Sequence, residues 1–300
     1  MNDDFVNNAL THGKDGENWL KQIPEIIKKY ENRWALQVLP PFNLTYNYVA
    51  AAVRKDRSKV VLKIGFPQDK EFQTEISALL LFNGDASTKL IEVDQKHSVM
   101  LLEQVDPGIP LSTMQNDEKA TRILASVMKR LWKPLPQNHT FITIKEWASS
   151  LFQYPVRFKK NKNPPIPFDL VNKAILLCKE LITTSAPPVL THADLHHDNV
   201  LSSDRDEWLS IDPKGIAAEP AYETAAMIRN PYKKLRDMPD LNELLIDRIK
   251  ILSEELRIDP KRIHKWCFVQ TVLSGVWTID SSKDKSHALK VAYVLDQIVI

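Results

Sequence analysis

Val60-Val61-Leu62-Lys63-Ile64 places one lysine in the middle of an apolar, strand-like run. An ammonium taken into a core costs several kcal/mol unless an anion meets it, so this run is an interior strand only if the fold delivers a carboxylate to Lys63. Glu75 lies twelve residues further on, in a stretch from Glu71 to Phe82 whose apolar positions Phe72, Ile76, Leu79 and Leu80 follow a helical period. Taken singly, each has a commoner fate, with Lys63 facing solvent from an edge strand and Glu75 exposed on a helix. Both readings stay open at this level.

The surrounding pattern gives these two residues an order. Residues 19–37 read as a helix with Trp19, Ile23, Ile26, Ile27 and Trp34 on one side, ended by Pro40-Pro41. Tyr46 to Val53 and Val60 to Phe66 form a hairpin about the charged turn Arg54 to Ser58, and Ser98 to Gln104 returns to strand after the helix. Beyond the turn Asp106-Pro107-Gly108 the pattern becomes helical, at Asp117 to Trp132, at Ile166 to Thr183 and from residue 240 to the C-terminus. Two domains are expected, 1–104 and 105–300. Lys159 to Pro165 reads as a solvated connection, and no internal repeat is visible.

Composition removes several classes of function. Forty Lys and Arg against thirty-eight Asp and Glu leave a formal charge of +2, so the chain is no wholesale polycation and no nucleic-acid partner is expected. Cys178 and Cys267 lie far apart without a Cys-x-x-Cys pair, which argues against a disulfide framework or zinc site and for a reducing, cytoplasmic setting. No apolar run approaches the roughly 20 residues of a membrane helix, and Met1 to Leu10 does not resemble a secretion signal. None of the seven glycines forms a Gly-x-Gly-x-x-Gly or Gly-Lys-Ser/Thr loop.

Thr191 to Val200 reads Thr-His-Ala-Asp-Leu-His-His-Asp-Asn-Val, with five potential ligands or acid–base groups in seven positions. One reading is a metal cluster, and hence a metallohydrolase, but the spacing matches no common zinc motif. The other takes His192, Asp194 and Asn199 as His-x-Asp followed five residues later by Asn, the arrangement of a kinase catalytic loop. The apolar run Val200-Leu201 follows, then Trp208 to Ile211, and Asp212 closes the second run, where a magnesium-binding carboxylate belongs. His196, His197 and Asp198 read as loop-shaping or solvent-facing.

With Tyr46 to Val49, Leu62 to Gly65, Glu71-Phe72 with Glu75, Leu101 to Gly108, His192 to Leu201 and Ile211 to Gly215, the chain resembles the aminoglycoside and hydroxyurea phosphotransferase family. The resemblance implies an α+β, bilobal protein-kinase-like fold: a small β-rich N-terminal lobe with one key helix, and a larger, mainly helical C-terminal lobe. It implies transfer of the γ-phosphate of ATP, with Mg2+, to a hydroxyl of a small molecule, with an aminoglycoside such as streptomycin as the acceptor it suggests. On this resemblance Asp194 is the catalytic base, and Asn199 and Asp212 are the metal ligands. Lys63 contacts nucleotide phosphates with Glu75 as partner, Glu103 and Val105 belong to the adenine hinge, and Asn47 turns the phosphate loop. Glu219, Glu223 and Trp277 are candidate acceptor residues, Trp277 on a helix with Trp266, Gln270 and Ser274. Ala193 and Pro213 depart from protein kinases, Ala193 leaving no arginine to receive an activation-loop phosphate, and the short interval from Asp212 to Glu219 favours a small acceptor. A nucleotide-binding pseudokinase is the alternative from another class.

Overall fold

The computed structural model describes residues 1–279 and 286–300. Residues 280–285, part of the run expected to be helical, lie outside them. The chain divides into two compact units, Met1–Gly108 and Ile109–Ile300.

In the first unit, helices α1 (Asp3–Leu10) and α2 (Lys14–Trp34) precede the strands β1 (Leu36–Pro41), β2 (Tyr48–Arg54) and β3 (Lys59–Ile64). Helix α3 (Lys70–Phe82) follows, then β4 (Leu90–Asp94) and β5 (Val99–Glu103). The strands form one antiparallel sheet in the order β1-β2-β3-β5-β4.

The pleat of β3 decides what each face of this sheet carries. Leu62 and Ile64 join Tyr48, Ala50 and Val99 in a core closed by Trp19, Ile23 and Tyr30 of α2, while Val61 packs with Phe72, Ile76 and Leu79 of α3. Lys63 shares the Val61 face by period-two alternation and is thereby turned toward α3. Its Nζ meets both Glu75 oxygens, at 2.6 and 2.7 Å, and the two residues are only 4% and 5% exposed. The solvent-facing alternative for both residues is therefore wrong.

The helix expected over residues 19–37 differs at both ends. It starts at Lys14 and stops at Trp34, because Ala35 takes the left-handed conformation (φ 53°) and returns its N–H to the Glu31 carbonyl. Pro40 and Pro41 do not end a helix; they sit in β1, at the edge of the sheet, where a missing N–H is tolerated. Helix α1 and the edge strand β4 were not legible, the latter because its side chains are mostly exposed or half-buried.

Strand β6 (Pro107–Pro110) straddles the boundary, and the second unit continues with α4 (Asp117–Leu131) and the short strands β7 (Lys133–Pro134) and β8 (Ile142–Thr143). Next come α5 (Ile144–Trp147), α6 (Ser149–Arg157), α7 (Phe168–Thr183), β9 (Val189–Thr191), β10 (Val200–Ser203), β11 (Trp208–Ser210) and β12 (Ile216–Ala218). The chain ends with α8 (Pro220–Glu223), α9 (Ala225–Ile228), α10 (Tyr232–Arg236), α11 (Leu241–Leu256), α12 (Pro260–Trp277) and α13 (Ser286–Gln297). Helix α12 is buried nearly all round, with Trp266, Phe268, Val269 and Leu273 inside, as expected of a helix at the centre of a bundle. Two small sheets, ordered β11-β10-β6 and β7-β9-β12-β8, support the loops.

Removing one partner of a buried ion pair costs about 3–5 kcal/mol, because the other charge is left without compensation. Glu75→Ala should therefore lower the melting temperature markedly. Lys63→Met combined with Glu75→Leu should restore most of the loss, as read by thermal denaturation with circular dichroism.

Candidate active site

Strand β9 ends at Thr191, and the next residues turn sharply. Ala193 has φ +66°, a left-handed conformation that a side chain with a Cβ disfavours. The turn is held from below by one carboxylate. Glu223 of α8 accepts the His192 N–H through Oε2 at 2.6 Å and the Ala193 N–H through Oε1 at 2.8 Å. Complete burial pushes the Glu223 carboxyl up to about 7; the two N–H bonds pull it down, and the neighbouring Asp194 charge adds to the rise.

His192 then ties this loop to the one before β12. Its ring is fully buried and held neutral, with its pKa lowered to about 4 by desolvation. Nε2 donates to the Ile211 carbonyl at 2.9 Å, which leaves Nδ1 to accept the Asp194 N–H at 3.3 Å. The Lys214 N–H closes the link from the other side by donating to the His192 carbonyl at 2.8 Å.

The hairpin β10–β11 brings the remaining groups to the same place. Val200 pairs with Ser210, and one step further the Ile211 N–H donates to the Asn199 carbonyl at 3.0 Å, so Asn199 and Asp212 leave the hairpin at one end. The Asn199 amide nitrogen donates to the Asp194 carbonyl at 3.0 Å, which fixes the side chain through its nitrogen and not through Oδ1. Asp212 also has a positive φ (62°), a conformation that Asp tolerates better than most residues. Asp194, Asn199 and Asp212 are thus brought into one cross-linked loop system.

The five groups adjacent in sequence do not converge on a metal. His192 is spent on backbone and His197 is only 2% exposed, its pKa driven well below the usual imidazole range by burial. Among the described residues no three His, Cys, Asp or Glu side chains gather as a metal site.

One neighbour of Asp194 had no signal in the sequence. Arg229 Nη2 lies 3.8 Å from Asp194 Oδ1, while its Nη1 donates to Gln270 Oε1 at 2.6 Å and to the Ala226 carbonyl at 3.3 Å. Arg229 is 35 residues from Asp194, so only packing brings the two together.

The carboxylates expected at an acceptor have other partners. Glu219 is 3% exposed and accepts Arg262 Nη2 at 2.6 Å, Arg262 Nε at 2.7 Å and the Trp266 indole N–H. Glu223 is spent on the loop backbone. Neither presents a carboxylate to a polycation, because interior charges are neutralised where they are buried. Trp266 is core, whereas Trp277 is 36% exposed and makes an edge contact with Trp147 at 5.0 Å.

In the first unit, Asn47 is half-buried in the bend that leads into β2. Glu103 is tightly tied: its N–H donates to the Lys89 carbonyl at 2.9 Å, its carbonyl accepts the Thr88 hydroxyl at 2.9 Å, and its Oε2 accepts the Lys89 N–H at 3.1 Å. Val105 is buried just beyond β5.

Residues 33–282 match the aminoglycoside/hydroxyurea antibiotic resistance kinase family. The chain belongs to that family. It is a small-molecule phosphotransferase. It is 26% identical over 287 residues to streptomycin 6-kinase of Streptomyces glaucescens, covering 95% of this chain and 92% of that one. It is 25% identical over 280 residues to hydroxyurea phosphotransferase of Kitasatospora aureofaciens, covering 90% and 77%. Among solved structures, choline kinase from Streptococcus pneumoniae superposes with a TM-score of 0.64 at 16% identity, over 92% of this chain and 100% of that one. An aminoglycoside phosphotransferase in complex with ADP and hygromycin B gives 0.60 at 12% identity, over 90% and 96%. The kinase therefore has the protein-kinase-like α+β fold.

Glu223 yields two expected outcomes. Glu223→Ala strips two buried N–H groups of their acceptor, each costing about 1–3 kcal/mol, and should lower the melting temperature accordingly. Because the folded carboxyl titrates near 7 against an ordinary 4.5, folding takes up a proton between those values. The stability contributed by Glu223 is thus fully present below pH 4.5 and is lost as pH rises to about 7. The difference in melting temperature between the parent and Glu223→Gln should shift against the parent across that window and level off above it.

Proposed function

We propose that this kinase transfers the γ-phosphate of ATP, with magnesium, to a hydroxyl of a small molecule. The observation that carries the reading is the His192 ring, which bonds both the Asp194 N–H and the carbonyl preceding Asp212 and so holds Asp194, Asn199 and Asp212 as one unit. Asn199 Oδ1 and the Asp212 carboxylate are hard oxygen donors that suit magnesium, and in this reading they hold the ion. Magnesium held there would supply charge neutralisation to the phosphates.

Each remaining residue has a task that its surroundings support. Lys63, steadied by Glu75, would pair with the α and β phosphates. The bend at Asn47 would approach the phosphates through its backbone. Glu103 donates its N–H to the Lys89 carbonyl, and in this reading the backbone from Glu103 to Val105 would form the hinge that meets the adenine edge. Asp194 would orient the acceptor hydroxyl and take its proton as the new oxygen–phosphorus bond forms and the bond to ADP breaks.

Streptomycin and hydroxyurea, named by the relatives, are the first acceptors to try. With Glu219 and Glu223 occupied, Trp277 is the candidate acceptor contact that remains, its ring offering an apolar wall. The buried, unpaired Cys178 and Cys267 suit a cytoplasmic setting. No described helix is long and apolar enough to cross a membrane.

The test is ATP consumption with magnesium against streptomycin, hydroxyurea and a panel of hydroxylated metabolites. Asp194→Asn should lower turnover by about 10²–10⁴-fold with ATP affinity nearly unchanged, since the carboxylate acts on the acceptor. Asp212→Ala should instead weaken magnesium-dependent ATP binding, measured by thermal stabilisation. Turnover of Asp194→Asn within tenfold of the parent would remove Asp194 from the reaction. ATP binding without turnover of any acceptor would favour a pseudokinase.

A further inference from the structure

We infer that Arg229 is a positioning residue for phosphoryl transfer, holding the Asp194 carboxylate by one face so that the other is presented to the acceptor. This rests on the proposed role of Asp194.

The Asp194 side chain is 27% exposed, and among the described residues it makes no hydrogen bond. Two groups flank it instead, Arg229 Nη2 at 3.8 Å and His196 Nε2 at 3.9 Å, and both approach the same oxygen, Oδ1. Oδ2 is thereby the oxygen left for a hydroxyl. A carboxylate hydrogen-bonded on both oxygens would have little capacity to accept a proton. One held by charge slightly beyond hydrogen-bond distance keeps its lone pairs while its orientation is restricted.

Arg229 is built for that position. Its side chain is only 13% exposed, and Asp194 is the one carboxylate within 4 Å of it among the described residues. Burial works against its charge, and Asp194 is the largest influence in favour. A nearly buried guanidinium whose only anionic partner is 3.8 Å away is a poor device for stability. The backbone around it is nevertheless firmly anchored. Arg248, itself fully buried and paired with Asp117, donates to the carbonyls of Met227, Ile228 and Asn230, and His287 Nε2 donates to that of Arg229. Gln270 of α12 fixes the outer end of the side chain.

The test uses the full chain with radiolabelled ATP, magnesium and streptomycin, and follows transfer to streptomycin and to water. Arg229→Ala should lower kcat by about 10²-fold, with KM for ATP changed less than about threefold. Millimolar guanidinium should recover about tenfold of that loss, and Arg229→Lys should lose much less than Arg229→Met. A merely structural role predicts no rescue, since millimolar guanidinium is far too dilute to alter folding. If Arg229→Ala does not fold by circular dichroism, the Lys and Met variants carry the comparison. A loss below about threefold, or a loss that neither guanidinium nor lysine relieves, would overturn the inference while Asp194→Asn is inactive. Parent-like transfer by Asp194→Asn would instead refute the role of Asp194 itself, and the inference with it.

Discussion

Two backbone N–H groups, those of His192 and Ala193, end on the single buried carboxylate of Glu223, and the geometry of the whole candidate site descends from that contact. An L-residue in the left-handed region is unfavourable by about 1–2 kcal/mol, and Ala193 occupies it with φ +66°. The two short hydrogen bonds offset that strain and turn the chain out of β9. From that turn His192 reaches the Ile211 carbonyl, and Asn199 reaches back to the Asp194 carbonyl. Released from Glu223, the loop would have little reason to keep Asp194, Asn199 and Asp212 together.

Two kinds of interior ion pair among the described residues differ by their distances. Lys63 with Glu75, Arg248 with Asp117 and Arg262 with Glu219 are direct hydrogen-bonded pairs at 2.6 to 2.9 Å. Each offsets a desolvation cost of several kcal/mol by close contact. Arg229 and Asp194 stand at 3.8 Å with Asp194 partly open to solvent. The first group fixes architecture: Lys63 and Glu75 lock α3 to β3, and Arg248 gathers the carbonyls of 227, 228 and 230. The second gives up contact energy and leaves the Asp194 carboxylate partly open to solvent.

The same interior chemistry accounts for the acceptor residues that changed place. Glu219 and Glu223 follow Asp212 closely in sequence, so they read as carboxylates near a cationic acceptor. In the fold they are 3% and 0% exposed, and a carboxylate that deep must take its partners from the protein. Proximity in sequence to the candidate loop thus says little about which face of a helix looks toward it.

What the amino-acid sequence determined by itself was whatever depends on local pattern. A lysine inside an apolar run called for a carboxylate if that strand was interior, and the helical period of residues 71–82 offered Glu75 as one that could answer. His-x-Asp with Asn five residues on, then two apolar runs ending at Asp212, implied a loop and hairpin of the observed kind. Local pattern failed where side chains gave no periodic signal, as in β4, and where a backbone conformation intervened, as at Ala35, which ended a helix before the prolines could. The tertiary structure alone decided which charges were spent on the interior and which were left near Asp194. Arg229 and Gln270 are 35 and 76 residues from Asp194 in the chain, and nothing periodic joins them. They meet because buried guanidinium groups and carbonyls must find partners, and those partners are set by helix packing rather than by neighbours in sequence.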